Sequence, residues 1–250
     1  MNVNGNVKTA GRTLDVFEAF EDVGKPLTLS DLARRLEMPV SSCHGLVGTL
    51  KARGYLYAVN RRTLYPTRRI LEMARRIVAK DPMLERLAGF LERLRDDTGE
   101  TVILGKRQDD AVIYLHVVEG LRTIRYSAKP GELKPLHSSA IGKAMLGEIP
   151  PADLAAWLAA HPLDAVTENT LVTPESLGGD LAAGRERGYH ITRGENVADV
   201  MAVATAIHLN GEPLGVAVAG PLERMKTGLA AHTERLLAMK SAVEAGEEHP

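Results

Sequence analysis

Between Pro39 and Tyr65 the spacing of apolar residues changes from helical to alternating, and few folds accommodate such a change in so short a stretch. Cys43, Leu46, Val47 and Leu50 recur at i, i+3, i+4 and i+7, which is one side of a helix. After Gly54 the pattern alternates. Tyr55-Leu56-Tyr57-Ala58-Val59 and Thr63-Leu64-Tyr65 read as two strands around a turn at Asn60-Arg61-Arg62. Upstream, Thr28 and Asp31 form a capping-box-like start for a short helix whose buried side is Leu32, Ala33 and Leu36. Pro39, with no amide hydrogen to lose, suits the first position of the next helix. A first helix from Thr9 to Asp22 brings Leu14, Phe17 and Phe20 to one side, with Val16 and Ala10 beside them, and Gly24 and Pro26 stop it. Three helices followed by a hairpin with arginines at its tip make a helix-turn-helix with a wing.

The apolar stripe of the third helix fixes what points outward: Ser41, Ser42, His44, Gly45, Gly48 and Thr49. Short side chains let a helix lie close to base edges in a major groove. Gly45 and Gly48 each cost a helix interior about 1 kcal/mol against alanine, and close approach to a partner is a reason to tolerate them. Arginines at a wing tip suit a phosphate backbone or a minor groove. Charge distribution agrees. Of the 31 basic and 32 acidic residues, 14 and 7 fall within 1–80, a balance of +7 that leaves −8 for the remainder. That split reads as a basic domain for a polyanion and an acidic one for another partner, or else as chance with ordinary solvated faces. The competing reading is a winged-helix module that contacts protein, which implies no strongly salt-dependent DNA affinity.

At 250 residues, 44% of them hydrophobic, the chain can bury one large or two ordinary cores. Its longest apolar runs, such as 201–207, are far short of a bilayer span, and MNVNGNVKTAGR lacks a signal-peptide core, so a cytoplasmic protein is expected. Cys43 is the single cysteine, which excludes an intrachain disulfide, and no structural zinc spacing occurs; neither metal nor cofactor is expected. Residues 67–80 read as a basic amphipathic helix with Ile70, Leu71, Ala74 and Ile77 or Val78 on one side, a domain linker or dimer contact, or else simple packing within the monomer. A further helix spans 82–97. From Thr101 the pattern is strand-like in TVILGKR, AVIYLHVVE and RTIRYSA, followed by helices near 139–147, 151–160 and 174–187. YHITR and MAVATAIHL are two more strands, the latter turning at Asn210-Gly211 into PLGVAVAG, and a last helix runs from about Leu222 to Glu244. Hairpin-linked strands with helices in separate runs indicate an α+β domain with an antiparallel sheet.

TLSDLARRLEMPVSSCHGLVGTLKARGYL resembles the winged helix-turn-helix of IclR-type bacterial transcriptional regulators, through Pro39, Ser41, Ser42, His44, Leu46 and Arg53-Gly54-Tyr55-Leu56. Gly45 stands where that pattern has arginine, which moves phosphate contact onto Lys51, Arg53 and the wing. KPGELKPLHSSAIGKAML is similar to a second segment of the family at Pro135, Leu136, His137, Ser139, Gly142, Lys143 and Ala144, and RGYHITRGENVADVMAVATAIHLNGEPLGVAVAGP resembles its second signature. The resemblance implies a DNA-binding domain at 1–66, a linker helix at 67–80 and a GAF-like effector-binding and oligomerisation domain at 81–250. It also implies operator DNA, a small organic acid and a dimeric or tetrameric assembly as partners, with no membrane. The expected DNA-contacting set is Thr28, Ser41, Ser42, His44, Gly45, Thr49, Lys51, Arg53, Arg61 and Arg62.

An effector pocket follows partly from physics. With Ser138 or Ser139 as N-cap, the amides of Ala140 and Ile141 lack intrahelical acceptors, and free amides with the helix dipole suit a carboxylate; the plain alternative is that the serine only caps its helix. Where relatives that bind small hydroxylated or keto acids carry cysteine and serines, this chain has Ala202, Ala217 and Ala219, an apolar wall for a ring or simply room for tight packing. Tyr126 offers a stacking face or a hydroxyl. With Leu136 and Thr192 these residues form the expected site for an aromatic acid. Enzyme fingerprints such as Gly-x-Ser-x-Gly, the P-loop and Gly-x-Gly-x-x-Gly are absent, and the suggestive pair is Ser139 with Lys143 at i and i+4.

Overall fold

The computed structural model describes residues 7–246. Residues 1–6 of the amino-terminal stretch, and the outermost ends of the expected ranges 1–66 and 81–250, lie outside the described residues. The described chain divides after Asp81 into two units.

The first unit contains α1 (Lys8–Val23), β1 (Leu27–Thr28), α2 (Leu29–Arg35), α3 (Val40–Ala52), β2 (Leu56–Ala58), β3 (Thr63–Pro66) and α4 (Arg69–Val78). Its core joins Val16, Ala19 and Phe20 of α1 to Leu32 and Ala33 of α2 and to Cys43, Val47 and Leu50 of α3. The α1 stripe corrects the expected one. Val16, Ala19 and Phe20 follow the i, i+3, i+4 row, and Leu14, two residues from Val16 and so on the far side of the helix, is 63% exposed; Ala10 is exposed as well. Pro39 precedes α3 as its N-cap, with an extended ψ of 139°, and its carbonyl accepts from the Cys43 amide. The end of α3 explains Gly54. The Gly54 amide donates to the Lys51 carbonyl and the Tyr55 amide to that of Leu50, a Schellman closure that puts Gly54 at φ +76°. The hairpin β2–β3 gains a third strand absent from the sequence reading, β1, through Leu27↔Leu64 and Thr28↔Thr63.

The second unit contains α5 (Pro82–Thr98), β4 (Thr101–Gln108), β5 (Ala111–Val118), β6 (Leu133–Pro135), α6 (Ala140–Gly147), α7 (Pro151–Ala160), α8 (Pro174–Arg187), β7 (His190–Arg193), β8 (Val200–Leu209), β9 (Glu212–Pro221) and α9 (Leu222–Glu244). The six strands pair antiparallel in the order β6-β5-β4-β9-β8-β7. Asn210 and Gly211 have φ of 54° and 81°, the two positive values that a tight hairpin between twisted strands requires. Alternation along β8 and β9 gives the sheet unlike faces. Val203, Ile207, Val216 and Val218 face α5 and α9, whereas Ala202, Ala204, Ala206, Ala217 and Ala219 face α6. Small residues let α6 sit close. A Cβ on Gly215 would lie 2.3 Å from Ile141 Cγ2, and one on Gly142 would lie 2.2 Å from the Leu136 carbonyl oxygen.

RTIRYSA is not a strand. Residues 121–129 run as an irregular strap, and the edge strand is the short β6. Side chains hold the strap where a ladder would have done so: Thr101 Oγ1 donates to the Tyr126 carbonyl, and Arg224 Nη2 to that of Ile124 at 2.9 Å. Among the described residues no helix is long and apolar enough to cross a membrane.

Candidate functional site

In the first unit, α3 and the hairpin enclose a groove lined by His44, Gly48, Lys51, Asn60, Arg61 and Arg62, among others. Asn60 shapes its rim. Its Oδ1 accepts from the amides of Arg62 and Thr63 at 2.8 and 2.9 Å, which closes the turn and leaves both arginines exposed. Ser41, Ser42, Gly45 and Thr49 are exposed on α3 outside the groove lining, and Arg53 is exposed at its C-cap. Thr49 Oγ1 donates to the Gly45 carbonyl at 3.0 Å, so its hydroxyl keeps only acceptor capacity. Around Gly45 and Gly48 an added Cβ would meet nothing within 4 Å, and neither has a positive φ. Nothing within the unit therefore requires glycine at either position.

Thr28 takes the capping position expected of it. Its hydroxyl accepts from the Asp31 amide at 3.1 Å and donates to Asp31 Oδ2 at 2.7 Å, a reciprocal capping box at the start of α2. These bonds lower the Asp31 pKa and engage the threonine hydroxyl at the start of its own helix.

In the second unit a cavity lies between the alanine face of the sheet and the start of α6, with Tyr126, Ser139, Ala140, Ile141, Thr192, Ala202, Ala217 and Ala219 all in its lining. Empty space with the mouth included is about 400 Å³. Leu136 is the exception. It is 1% exposed in the core beside α6 and lines no part of the cavity. The sequence reading missed Ile103, Tyr114, Asn196, Val197 and Val200. Tyr114 was the most accessible of these, because it shares a face of β5 with Val112 at the strand period. Burial, with the Tyr126 phenol beside it, pushes the Tyr114 phenol up and keeps it neutral.

Ser139 is the N-cap of α6. Its Oγ accepts from the Gly142 amide at 3.2 Å and donates to the Pro135 carbonyl at 2.7 Å. The amides of Ala140 and Ile141 precede the first intrahelical bond and stand at the positive end of the helix dipole. Across the cavity wall, Asn196 Nδ2 donates to Ser138 Oγ at 3.1 Å. Ser139 and Lys143 do not form a reactive pair. The serine is used by the cap, and Lys143 Nζ lies 2.9 Å from Asp180 Oδ2 and in contact with the Glu195 carboxylate. Burial raises the Glu195 carboxyl above its usual range, against the opposing pull of Lys143. Behind the strap, Glu100 is fully buried and its carboxylate accepts from Nε and Nη2 of Arg224.

Comparison with known proteins covers both units. Residues 9–59 match the IclR helix-turn-helix domain, and residues 76–245 match the bacterial transcriptional regulator IclR C-terminal domain. The HTH-type transcriptional regulator BhcR of Paracoccus denitrificans is 35% identical, over 98% of this chain and 87% of its own. The crystal structure of the Thermotoga maritima IclR superposes with a TM-score of 0.81 at 22% identity, covering 96% of this chain and 99% of the other. An IclR homolog complexed with 4-hydroxybenzoate from Microbacterium hydrocarbonoxydans superposes at 0.72 and 22%, covering 95% and 99%. These two structures share the fold. On the domain matches and the full-length relative, the chain belongs to the IclR family of bacterial transcriptional regulators, ligand-responsive DNA-binding proteins and not enzymes.

Proposed function

We propose that residues 1–66 hold operator DNA through α3 and the wing, and that 67–80 link them to an effector-binding and oligomerisation domain at 81–250. The effector is a small aromatic carboxylate, and its binding alters operator affinity. The observation that carries this reading is the cavity itself. The helix-start amides and the Asn196 carboxamide suit a carboxylate, while Ala202, Ala217, Ala219 and Ile103 present apolar surface that cannot hydrogen-bond a polar chain but can cover a ring. The related fold that holds 4-hydroxybenzoate supports the same ligand class. At the other unit, Arg61, Arg62, Lys51 and the open glycine face of α3 suit phosphate contact and close approach to base edges. One winged helix covers one half-site, so a dimer or tetramer on a two-fold operator is the assembly this reading requires.

The test is a titration of the protein onto a duplex that it selects from random DNA, at several salt concentrations, with and without 4-hydroxybenzoate. Expected are a steep fall of affinity with salt and a change of about fivefold or more on adding the acid, the usual scale of coupling between two sites. Salt-insensitive binding would favour a protein-contact module. Full salt dependence with no response to any aromatic acid would remove the effector assignment.

A further inference from the structure

We propose that the network of the buried Lys143 and Glu195 with the half-buried Asp180 positions the carboxylate-binding wall of the cavity, so that Lys143 and Glu195 are positioning residues for effector recognition. This rests on reading the cavity as the effector site. The Lys143 side chain is 0% exposed, although it carries a charge. Its ammonium is 2.9 Å from Asp180 Oδ2 on α8, donates to the Ile191 carbonyl on β7 at 3.3 Å, and contacts the Glu195 carboxylate in the segment after β7. Two separate parts of the chain, α8 and β7 with the segment after it, thus meet α6 at one nitrogen.

Such a network is a poor source of stability, because the loss of hydration of buried charges offsets much of their attraction, and apolar residues of similar volume often do as well. What it supplies is a fixed geometry, since charged partners have few alternative positions in an apolar interior. Here that geometry adjoins the cavity at three of its four points, all but Asp180 on α8. Lys143 follows the lining residue Ser139 by one helical turn, Ile191 precedes Thr192, and Glu195 precedes Asn196. The segment is tied from its other side as well, since Thr170 Oγ1 donates to the Glu195 carbonyl at 2.7 Å and Thr167 Oγ1 to that of Gly194 at 2.6 Å. With Asn196 Nδ2 bonded to Ser138 Oγ, the network holds a side-chain amide and the start of α6 at a set separation. A carboxylate that bridges them depends on that separation, because misplacing one donor forfeits its bond.

Two variants of the full chain test this. Glu195→Asp keeps the charge and withdraws it by one methylene, and Lys143→Met with Glu195→Gln removes both charges together. Melting temperature, amide hydrogen exchange of 194–199 and 138–142 without ligand, and affinity for 4-hydroxybenzoate are measured for each. Expected for Glu195→Asp is exchange at least tenfold faster in those two segments, affinity lowered about tenfold, and a melting temperature close to that of the parent. If exchange there is unchanged while the melting temperature falls, the network is a stability element only and the proposal is overturned. Should the double variant fail to fold, Glu195→Asp decides alone. If the parent protein binds no aromatic acid, the effector reading falls, and the exchange measurement still decides whether the network positions this wall.

Discussion

Replacing Gly45 or Gly48 by alanine should move stability and DNA affinity in opposite directions. Both lie inside α3, neither has a positive φ, and the space around an added Cβ is empty to 4 Å. Each substitution should therefore gain the helix-propensity difference of about 1 kcal/mol with no packing cost. In a domain of 60–100 residues that raises the melting temperature by roughly 4–8 °C. On DNA the same methyl occupies the face read as lying against base edges. Disrupting one good interaction with a base edge costs about 1–3 kcal/mol, which is about 5- to 150-fold in affinity. The assay pairs thermal melting of each variant with titration onto the selected duplex at fixed salt. Higher stability with unchanged affinity would show that this face of α3 does not approach the bases. Lower stability would show that the positions are not open.

Three further outcomes follow from the geometry. Replacing Arg61 and Arg62 together by alanine should weaken binding to all duplexes and reduce the slope of log affinity against log salt by about 2, near 0.9 for each phosphate that is no longer neutralised; an unchanged slope would show the wing off the backbone. Ala217→Leu, which fills the cavity floor, should weaken 4-hydroxybenzoate binding tenfold or more while operator affinity without ligand stays the same, as fluorescence titrations of ligand and duplex can check. His190 is buried against α6 and α8, and burial lowers its pKa from 6.5 to about 4. The unfolded chain takes up the proton first, so stability is lost as pH falls from 6.5 towards 4. About 2 kcal/mol should be gone at pH 5. His190→Asn should remove that loss, and urea midpoints at pH 7 and 5 would show otherwise if the slope persists.

Local signals carried much of the architecture. The Asn210-Gly211 turn, the stop at Gly54 and the limits of α9 are set by residues within a few positions of one another, and the sequence displays them directly. Leu14 and RTIRYSA misled for related reasons. Leu14 is apolar but lies off the i, i+3, i+4 row of Val16, and Ile124, Tyr126 and Ala128 alternate like a strand although the segment is held by Thr101 and Arg224. No local pattern announces those ties, because each joins residues far apart in the chain. The cavity was legible where strand alternation or a helix start marked a face, as at Ala202, Ala217 and Ser139. It was not legible at Asn196 and Val197, which sit in an irregular segment without periodicity. Lys143 stood out as a motif residue, but its burial depends on Asp180 and Glu195, which only the folded chain brings to it. Ala204, Ala206 and Gly215 belong to the same small-residue stripe. They lie outside the cavity lining, and Gly215 takes Ile141 of α6 against the sheet, while Ala202, Ala217 and Ala219 line the cavity.

The most direct measurement is the melting temperature of the protein in the presence of benzoate, 4-hydroxybenzoate and pyruvate. A ligand that binds only the folded state at 100 times its Kd stabilises it by about 2.7 kcal/mol. For a domain of 150–250 residues that corresponds to a rise of roughly 5–10 °C. Expected is a rise with the aromatic acids that Ala217→Leu abolishes. A rise with pyruvate alone would contradict the aromatic assignment and show that Ala202, Ala217 and Ala219 serve packing rather than recognition.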